Sequence, residues 1–240
     1  MPVNSQIIET FIQNTGIEIT NDKQLKLRNY IDLLMEYNKK FNLTNITEEG
    51  EIWRKHVIDS LLIFYYLKIP NRISMLDVGT GAGIPGLVLK ICRPDLKITL
   101  LESQKKKVNF LNLVIDKLGL NDVSCIWDRA EKLGHDLKYR EKFDMVVARG
   151  VASLNILAEY CLPFVKIDGL MVAYKGPKAK TELSEAKNAI NLLGGNEVIL
   201  KEYKLPEGDD DRSLIIIKKD TMTPSKYPRR PGIAFKRPIK

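Results

Sequence analysis

Leu76-Asp77-Val78-Gly79-Thr80-Gly81-Ala82-Gly83-Ile84-Pro85-Gly86 is the stretch on which the fold turns. It grows out of a short apolar run, residues 73–78, that reads as a buried strand. A strand that passes through glycines into a helix lets the backbone approach a ligand closely, because no Cβ intrudes. Pro85 suits the first turn of that helix, where its missing N–H costs nothing. Glu102 closes the next strand, where a carboxylate can accept hydrogen bonds from both ribose hydroxyls of an adenosine ligand.

Outward from this turn, strands and helices alternate. The pattern predicts strands at 97–102, 123–128, 143–149 and 170–175, and helices at 105–118, 153–165 and 178–193. Strands apolar on both faces require a parallel sheet covered by helices. Two further strands, 198–205 and 213–218, are joined by residues 206–212, too short for a crossover helix, so this last pair must be antiparallel. The acids in that loop (Glu207, Asp209, Asp210, Asp211) read as a solvated turn. Before the glycine turn the chain reads as helical. Ile7, Ile8, Phe11 and Ile12 form one apolar stripe, and helices are expected at about 22–40 and 51–67. The expected fold class is therefore α/β: a Rossmann-like, mostly parallel seven-stranded sheet with an antiparallel terminal hairpin, plus N-terminal helices. The class I S-adenosylmethionine-dependent methyltransferases share that arrangement. Residues 1–70 read as a helical cap on the same domain, 71–220 as the core and 221–240 as a basic, proline-rich tail.

With 44% hydrophobic and 28% charged residues the composition excludes a disordered chain. No run of about 18 apolar residues predicts a membrane span, and residues 1–10, with Glu9 and no basic start, do not read as a secretion signal. Cys92, Cys125 and Cys161 have neither disulfide nor metal-ligand spacing, which fits a reducing cytoplasm and no metal site. The net charge of +8 directs attention to polyanionic partners.

Gly81-x-Gly83-x-x-Gly86 also satisfies the dinucleotide fingerprint, so an NAD-dependent oxidoreductase is a competing reading. Against it, Asp77 stands two residues before Gly79, the Asp-x-Gly-x-Gly-x-Gly form typical of methyltransferases. There an acid can hold the cationic amino-acid end of S-adenosylmethionine. No hydride-transfer constellation is evident elsewhere. A non-catalytic RNA-binding module on an idle Rossmann core is the other alternative.

Several more segments carry a resemblance. They are Asn42-Leu43-Thr44-Asn45-Ile46 with His56 and Asp59-Ser60-Leu61; Glu102-Ser103 with Lys106 and Phe110-Leu111; and Arg129-Ala130-Glu131. Phe143-Asp144 with Arg149, Lys175-Gly176, and Tyr227-Pro228-Arg229-Arg230-Pro231-Gly232 follow. With the glycine turn they resemble the RsmG (GidB) ribosomal RNA methyltransferases over nearly the whole chain. Ile84, Asp128 and Gly150 depart from the family's usual residues. The resemblance implies S-adenosylmethionine as cofactor and methylation of guanine N7 in 16S rRNA, in the decoding region of the small ribosomal subunit. It also implies that Gly79, Ile84, Ala130, Glu131 and Arg149 touch the cofactor, beside Asp77, Gly81 and Glu102 from the residue reading.

Guanine N7 offers a lone pair and no proton, so such a reaction needs alignment and exclusion of water, not a general base. Arg149 ends its strand where ligands bind in such sheets, and could hold the cofactor's carboxylate or the guanine Hoogsteen edge. Lys175 ends the next strand and could meet a base or phosphate. His56 reads on general grounds as a packing histidine; only the resemblance places it, with Arg149 and Lys175, among the catalytic candidates. The N7 edge faces the narrow groove of A-form RNA, so the target must be unpaired or flipped. Asn42, Arg129, Arg229 and Arg230 are the expected RNA contacts, the last two on a tail that prolines keep extended. Lys105-Lys106-Lys107 reads as a surface patch with the wrong sign for its helix dipole. The chain is expected to act as a cytoplasmic monomer.

Overall fold

Apolar periodicity fixes which face of each element is buried, and the computed structural model, describing residues 3–240 with side chains from Ile8 onward, shows the faces this makes. The core place expected for Ile7 lies outside the described side chains. Helix α1 (Val3–Thr15) precedes α2 (Asn21–Asn38), whose buried Leu27, Tyr30, Ile31 and Leu34 recur at helical spacing and whose N-cap is Thr20.

The expected helix 51–67 is broken. It runs as α3 (Glu49–Ile52), a π-helical segment Trp53–Ile58, α4 (Asp59–Leu61) and α5 (Ile63–Tyr66). The cause is an inserted side chain: Arg149 donates to the carbonyl of Lys55 at 2.6 Å, inside the widened turn.

The sheet consists of β1 (Ser74–Val78), β2 (Lys97–Glu102), β3 (Val123–Trp127), β4 (Phe143–Arg149), β5 (Val165–Lys175), β6 (Gly195–Lys204) and β7 (Asp211–Lys219). Their order is β3-β2-β1-β4-β5-β7-β6, parallel except that β7 is antiparallel to both neighbours. Helices α6 (Gly86–Cys92), α7 (Lys105–Leu118), α8 (Ala130–Leu133), α9 (Leu154–Cys161) and α10 (Ala179–Leu192) cover the two faces. Residues alternate between faces. Met75, Met145 and Val147 pack with the N-terminal helices, while Leu76, Val146 and Ala148 pack under α9 and α10. The cap thus shares one apolar cluster with the sheet. Helix α9 stops earlier than the expected 165, because Pro163 has no N–H to continue it. β5 therefore begins at Val165, through a bulge where Asp168 takes a φ of 65°.

Two expectations are corrected here. The β6–β7 loop is not simply solvated. Asp210 pairs with Arg54 at 2.5 Å and with Arg212 at 3.5 Å, clasping the hairpin onto the cap. Nor is the tail extended. Arg140 donates to the carbonyls of Thr223 and Tyr227, Pro228 is buried against Gly134, and a short helix α11 (Ile233–Lys236) ends the segment. The buried carboxylate of Glu159 explains why: it takes Arg229 in a fork, with bonds of 2.6 and 2.9 Å, and also the Arg229 backbone N–H at 2.7 Å. The Arg229 side chain is thereby spent on holding the tail rather than reaching for RNA. Arg230 stays exposed.

Arg229→Ala leaves the Glu159 carboxylate, wholly buried, without its cation. We expect this to lower unfolding stability by about 3–5 kcal/mol, read from denaturant midpoints. An unchanged midpoint would mean that the tail is held by its other contacts alone.

Candidate active site

The carboxyl ends of β1, β2, β4 and β5 meet at the point where the strand order reverses, and a cavity of about 670 Å³ opens there. Gly79, Thr80, Gly81, Ala82, Ile84 and Glu102 form one wall, Arg149 and Lys175 the second, and the cap residues Thr44, His56 and Asp59 the third. A smaller hollow of about 180 Å³ adjoins it, lined by Asp128, Arg129, Ala130, Glu131 and Tyr160; Gly79, Ser103 and Val151 border both spaces. Asn42 is exposed and outside these walls. Among the described residues no cluster of His, Cys, Asp and Glu could hold a metal, and no helix is long and apolar enough to cross a membrane.

The glycine turn is tied down from below. Asp77 is fully buried, and its Oδ2 accepts from the Thr80 hydroxyl at 2.6 Å and from Gly86 N–H at 2.8 Å. Burial pushes its carboxyl up to about 6. Its side chain therefore lies beneath the turn and outside the cavity wall, where it shapes the loop. Asp77 is not among the residues that line the cavity, and the two bonds made by its Oδ2 go to the turn itself. Its Oδ1 is buried with no partner. Tyr30 of α2 donates to the Ala82 carbonyl at 2.9 Å, so the cap also holds the turn. Glu102 accepts from Gly81 N–H at 3.0 Å and from Gln104 N–H at 2.8 Å.

Two glycines are needed by the cavity itself. At Gly81, with φ +60°, a Cβ would meet nothing nearer than 4.0 Å, and so would project into empty cavity. At Gly79 a Cβ would press on Val151 at 2.7 Å. A bare-backbone cradle beside a strand-end carboxylate, with a hollow for a flat ring next door, fits an adenosine-bearing ligand. In that hollow, burial and the neighbouring Glu131 carboxylate push the Tyr160 phenol up to about 12. Glu131 is itself held by the backbone N–H of Gly232 at 3.1 Å, from the tail.

Arg149 joins the two halves of the molecule. Its Nη1 donates to the Lys55 carbonyl at 2.6 Å and to Asp59 at 3.0 Å, and its Nη2 donates to His56 Nδ1 at 2.7 Å. With Nδ1 accepting, His56 must carry its proton on Nε2, which lies 2.8 Å from the Thr44 hydroxyl. Asp59 also accepts from the Tyr203 hydroxyl at 2.8 Å. Burial, aided by the Arg149 charge, pushes the His56 ring down to about 3. Lys175 donates to the Ala152 carbonyl at 2.5 Å and to Glu182 at 2.7 Å. Of the sequence candidates, the cavity thus gathers Gly79, Gly81, Ile84, Glu102, Arg149, Lys175 and His56, and the hollow gathers Ala130, Glu131 and Arg129. Sequence reasoning missed Tyr30, Tyr203 and Arg212. Nothing local marks Tyr30 and Tyr203, since each acts on a partner far away in the chain, and Arg212, bonded to its neighbours Asp210 and Asp211, reaches the cavity only through the fold.

His56 is neutral in the folded chain and gains a proton more easily once unfolded. Its contribution to stability is complete above the ordinary histidine value near 6.5 and is lost as pH falls from there towards 3. Its ring NMR signals should accordingly stay at neutral-imidazole positions from pH 8 to pH 5. A midpoint above 5 would contradict the Arg149–His56 bond as drawn.

A family profile described as GidB, rRNA small subunit methyltransferase G, matches residues 23–214. A protein of Moorella thermoacetica named ribosomal RNA small subunit methyltransferase G is 50% identical over 234 residues, covering 98% of both chains. One of the same name from Alkaliphilus metalliredigens is 47% identical over 237 residues, covering 99% of both. Among solved structures, the precorrin-6y C5,15-methyltransferase of Geobacter metallireducens is 17% identical with a TM-score of 0.51, over 67% of this chain and 87% of that one, a likeness of fold alone.

Proposed function

The chain belongs to the rRNA small subunit methyltransferase G family, and from that premise we propose that it transfers a methyl group from S-adenosylmethionine to N7 of a guanosine in 16S rRNA, in the decoding region of the small subunit. The observation that carries this reading is one cavity whose floor is a glycine cradle and whose far wall is the cap, bridged by Arg149. The dinucleotide alternative is not favoured, since the relatives over the full chain are methyltransferases.

The cofactor supplies a methyl group on a positively charged sulfur. Glu102, bonded to Gly81 N–H at the cavity wall, would accept from the ribose hydroxyls, and the Ala130–Glu131–Tyr160 hollow would take the adenine. No residue needs to act as a base, because N7 bears no proton, and a neutral, hydrogen-bonded His56 fits that requirement. His56, Asp59 and the Lys55 carbonyl hold the Arg149 guanidinium at the cavity wall and leave its Nε–H and one Nη2–H outside these bonds. From there they can meet a guanine Hoogsteen edge through O6 while leaving the N7 lone pair free. Lys175, ion-paired with Glu182 and bonded to the Ala152 carbonyl, is fixed at the same wall, with one N–H left for a base or phosphate. The catalytic gain is thus alignment on a rigid frame. We further propose that the chain acts as a monomer, the cavity being complete within one copy.

Radiolabelled methyl transfer to purified small subunits and to their free RNA tests this. Label recovered as 7-methylguanosine at one position supports it. Cofactor binding without label on either substrate would move the substrate elsewhere.

A further inference from the structure

The rim of the cavity on its β2–β3 side carries groups that the chemistry above does not use. Lys105, Lys106 and Lys107 open α7 with no acid in its first turn, and none of them forms an ion pair among the described residues. Cations there oppose the helix dipole and weaken the helix, so folding alone gives no reason for them. Two large rings lie open beside them. Trp127 is 56% exposed with the Lys105 ammonium 5.0 Å from its ring centre, and Phe41 is 37% exposed with the Lys106 ammonium at 5.4 Å. The Trp127 Nε1–H donates to the Ser103 carbonyl at 3.0 Å, which anchors that ring to a segment lining the cavity. Lys107 itself lines the cavity. The surface therefore continues the cavity mouth outward, from the cap at Phe41 to the sheet edge at Trp127.

Exposed rings interleaved with unpaired cations match one chemistry. Each base of an unpaired RNA strand presents a π face to a ring, and each phosphate presents a charge to a lysine. A duplex would use the lysines and leave the rings in water; an acidic protein surface would do the same. We propose that the nucleotides flanking the target guanosine run as a single strand over this rim, their bases stacking on Phe41 and Trp127 and their phosphates meeting Lys105, Lys106 and Lys107. This rests on the reading of rRNA as substrate and adds the path by which the strand leaves the cavity. It also gives a physical means of keeping the target guanosine out of a helix, because stacking of its neighbours on protein replaces stacking within RNA.

The chain has two tryptophans, and Trp53 is wholly buried, so intrinsic fluorescence quenching by RNA reports on Trp127. Titration with deproteinised small-subunit rRNA and with a single-stranded oligonucleotide should quench that emission. Phe41→Ala and Trp127→Ala should each weaken rRNA binding by about 5- to 100-fold. Lys105→Ala/Lys106→Ala should reduce the slope of log affinity against log salt by about 1.4, with cofactor affinity within twofold of the parent as the check on folding. Unaltered affinity and salt slope in these variants, or no quenching, would overturn the proposal. So would a loss seen on intact subunits but not on free rRNA, which would make the partner a ribosomal protein. Methyl transfer by the parent chain is scored separately. Transfer with indifferent variants sinks only the rim, and RNA binding at the rim without transfer sinks only the reaction.

Discussion

Gly81→Val is expected to lower S-adenosylmethionine affinity at least 100-fold while the chain stays folded. The Gly81 Cβ position has no protein atom within reach closer than the Gly79 carbonyl at 4.0 Å, so the added side chain is free to stand in the ligand's space. Its φ of +60° adds strain of about 1–2 kcal/mol for a non-glycine residue, well short of a domain's total stability. Calorimetric titration with the cofactor, beside a thermal melt, separates the two effects. Gly86→Val provides the contrast, because a Cβ there would meet Leu100 and, at 2.8 Å, the Asp77 Oδ2 that anchors the turn. That variant should fail to fold stably. Unchanged affinity in Gly81→Val would place the cofactor elsewhere.

Arg149→Ala should have the other large effect, on both stability and rate. It takes from the nearly fully buried Asp59 its nearest cation, leaving it the Tyr203 hydroxyl and Arg212 at 4.0 Å, and it removes the donor to the Lys55 carbonyl within the π turn and to His56 Nδ1. Removing one partner of such a buried pair costs about 3–5 kcal/mol. Because the same side chain joins cap to sheet across the cavity, methyl transfer to rRNA should fall by about 100-fold or more. Arg149→Lys keeps the charge but not the planar fork, so it should regain part of the stability and little of the rate. Denaturant midpoints and single-turnover rates read the two independently. Full stability in Arg149→Ala would remove the arginine from the joint between the halves, and a full rate would remove it from substrate alignment.

Much of this molecule was legible without coordinates, for definable reasons. The buried run before Gly79, the glycine spacing and Glu102 at the next strand end are local patterns with local consequences, and the cavity opens where they imply. The short link expected at 206–212 required an antiparallel hairpin on loop length alone, and β7 runs so. The resemblance over nearly the whole chain added the family, which the matching profile and relatives show.

What remained hidden was the choice of partners. The tail's arginines read as free cations, yet Arg229 is committed to Glu159, 70 residues away. Asp77 anchors its own turn through Thr80 and Gly86, a role that its place in the motif did not announce. His56 meets Arg149 across 93 residues, and Tyr30 reaches Ala82 across 52. Sequence periodicity determines which face of an element is buried and where a chain must turn, because those depend on neighbours three or four residues off. Which distant group satisfies a buried carboxylate, carbonyl or ring nitrogen depends on how the faces dock, and only the tertiary structure decided that.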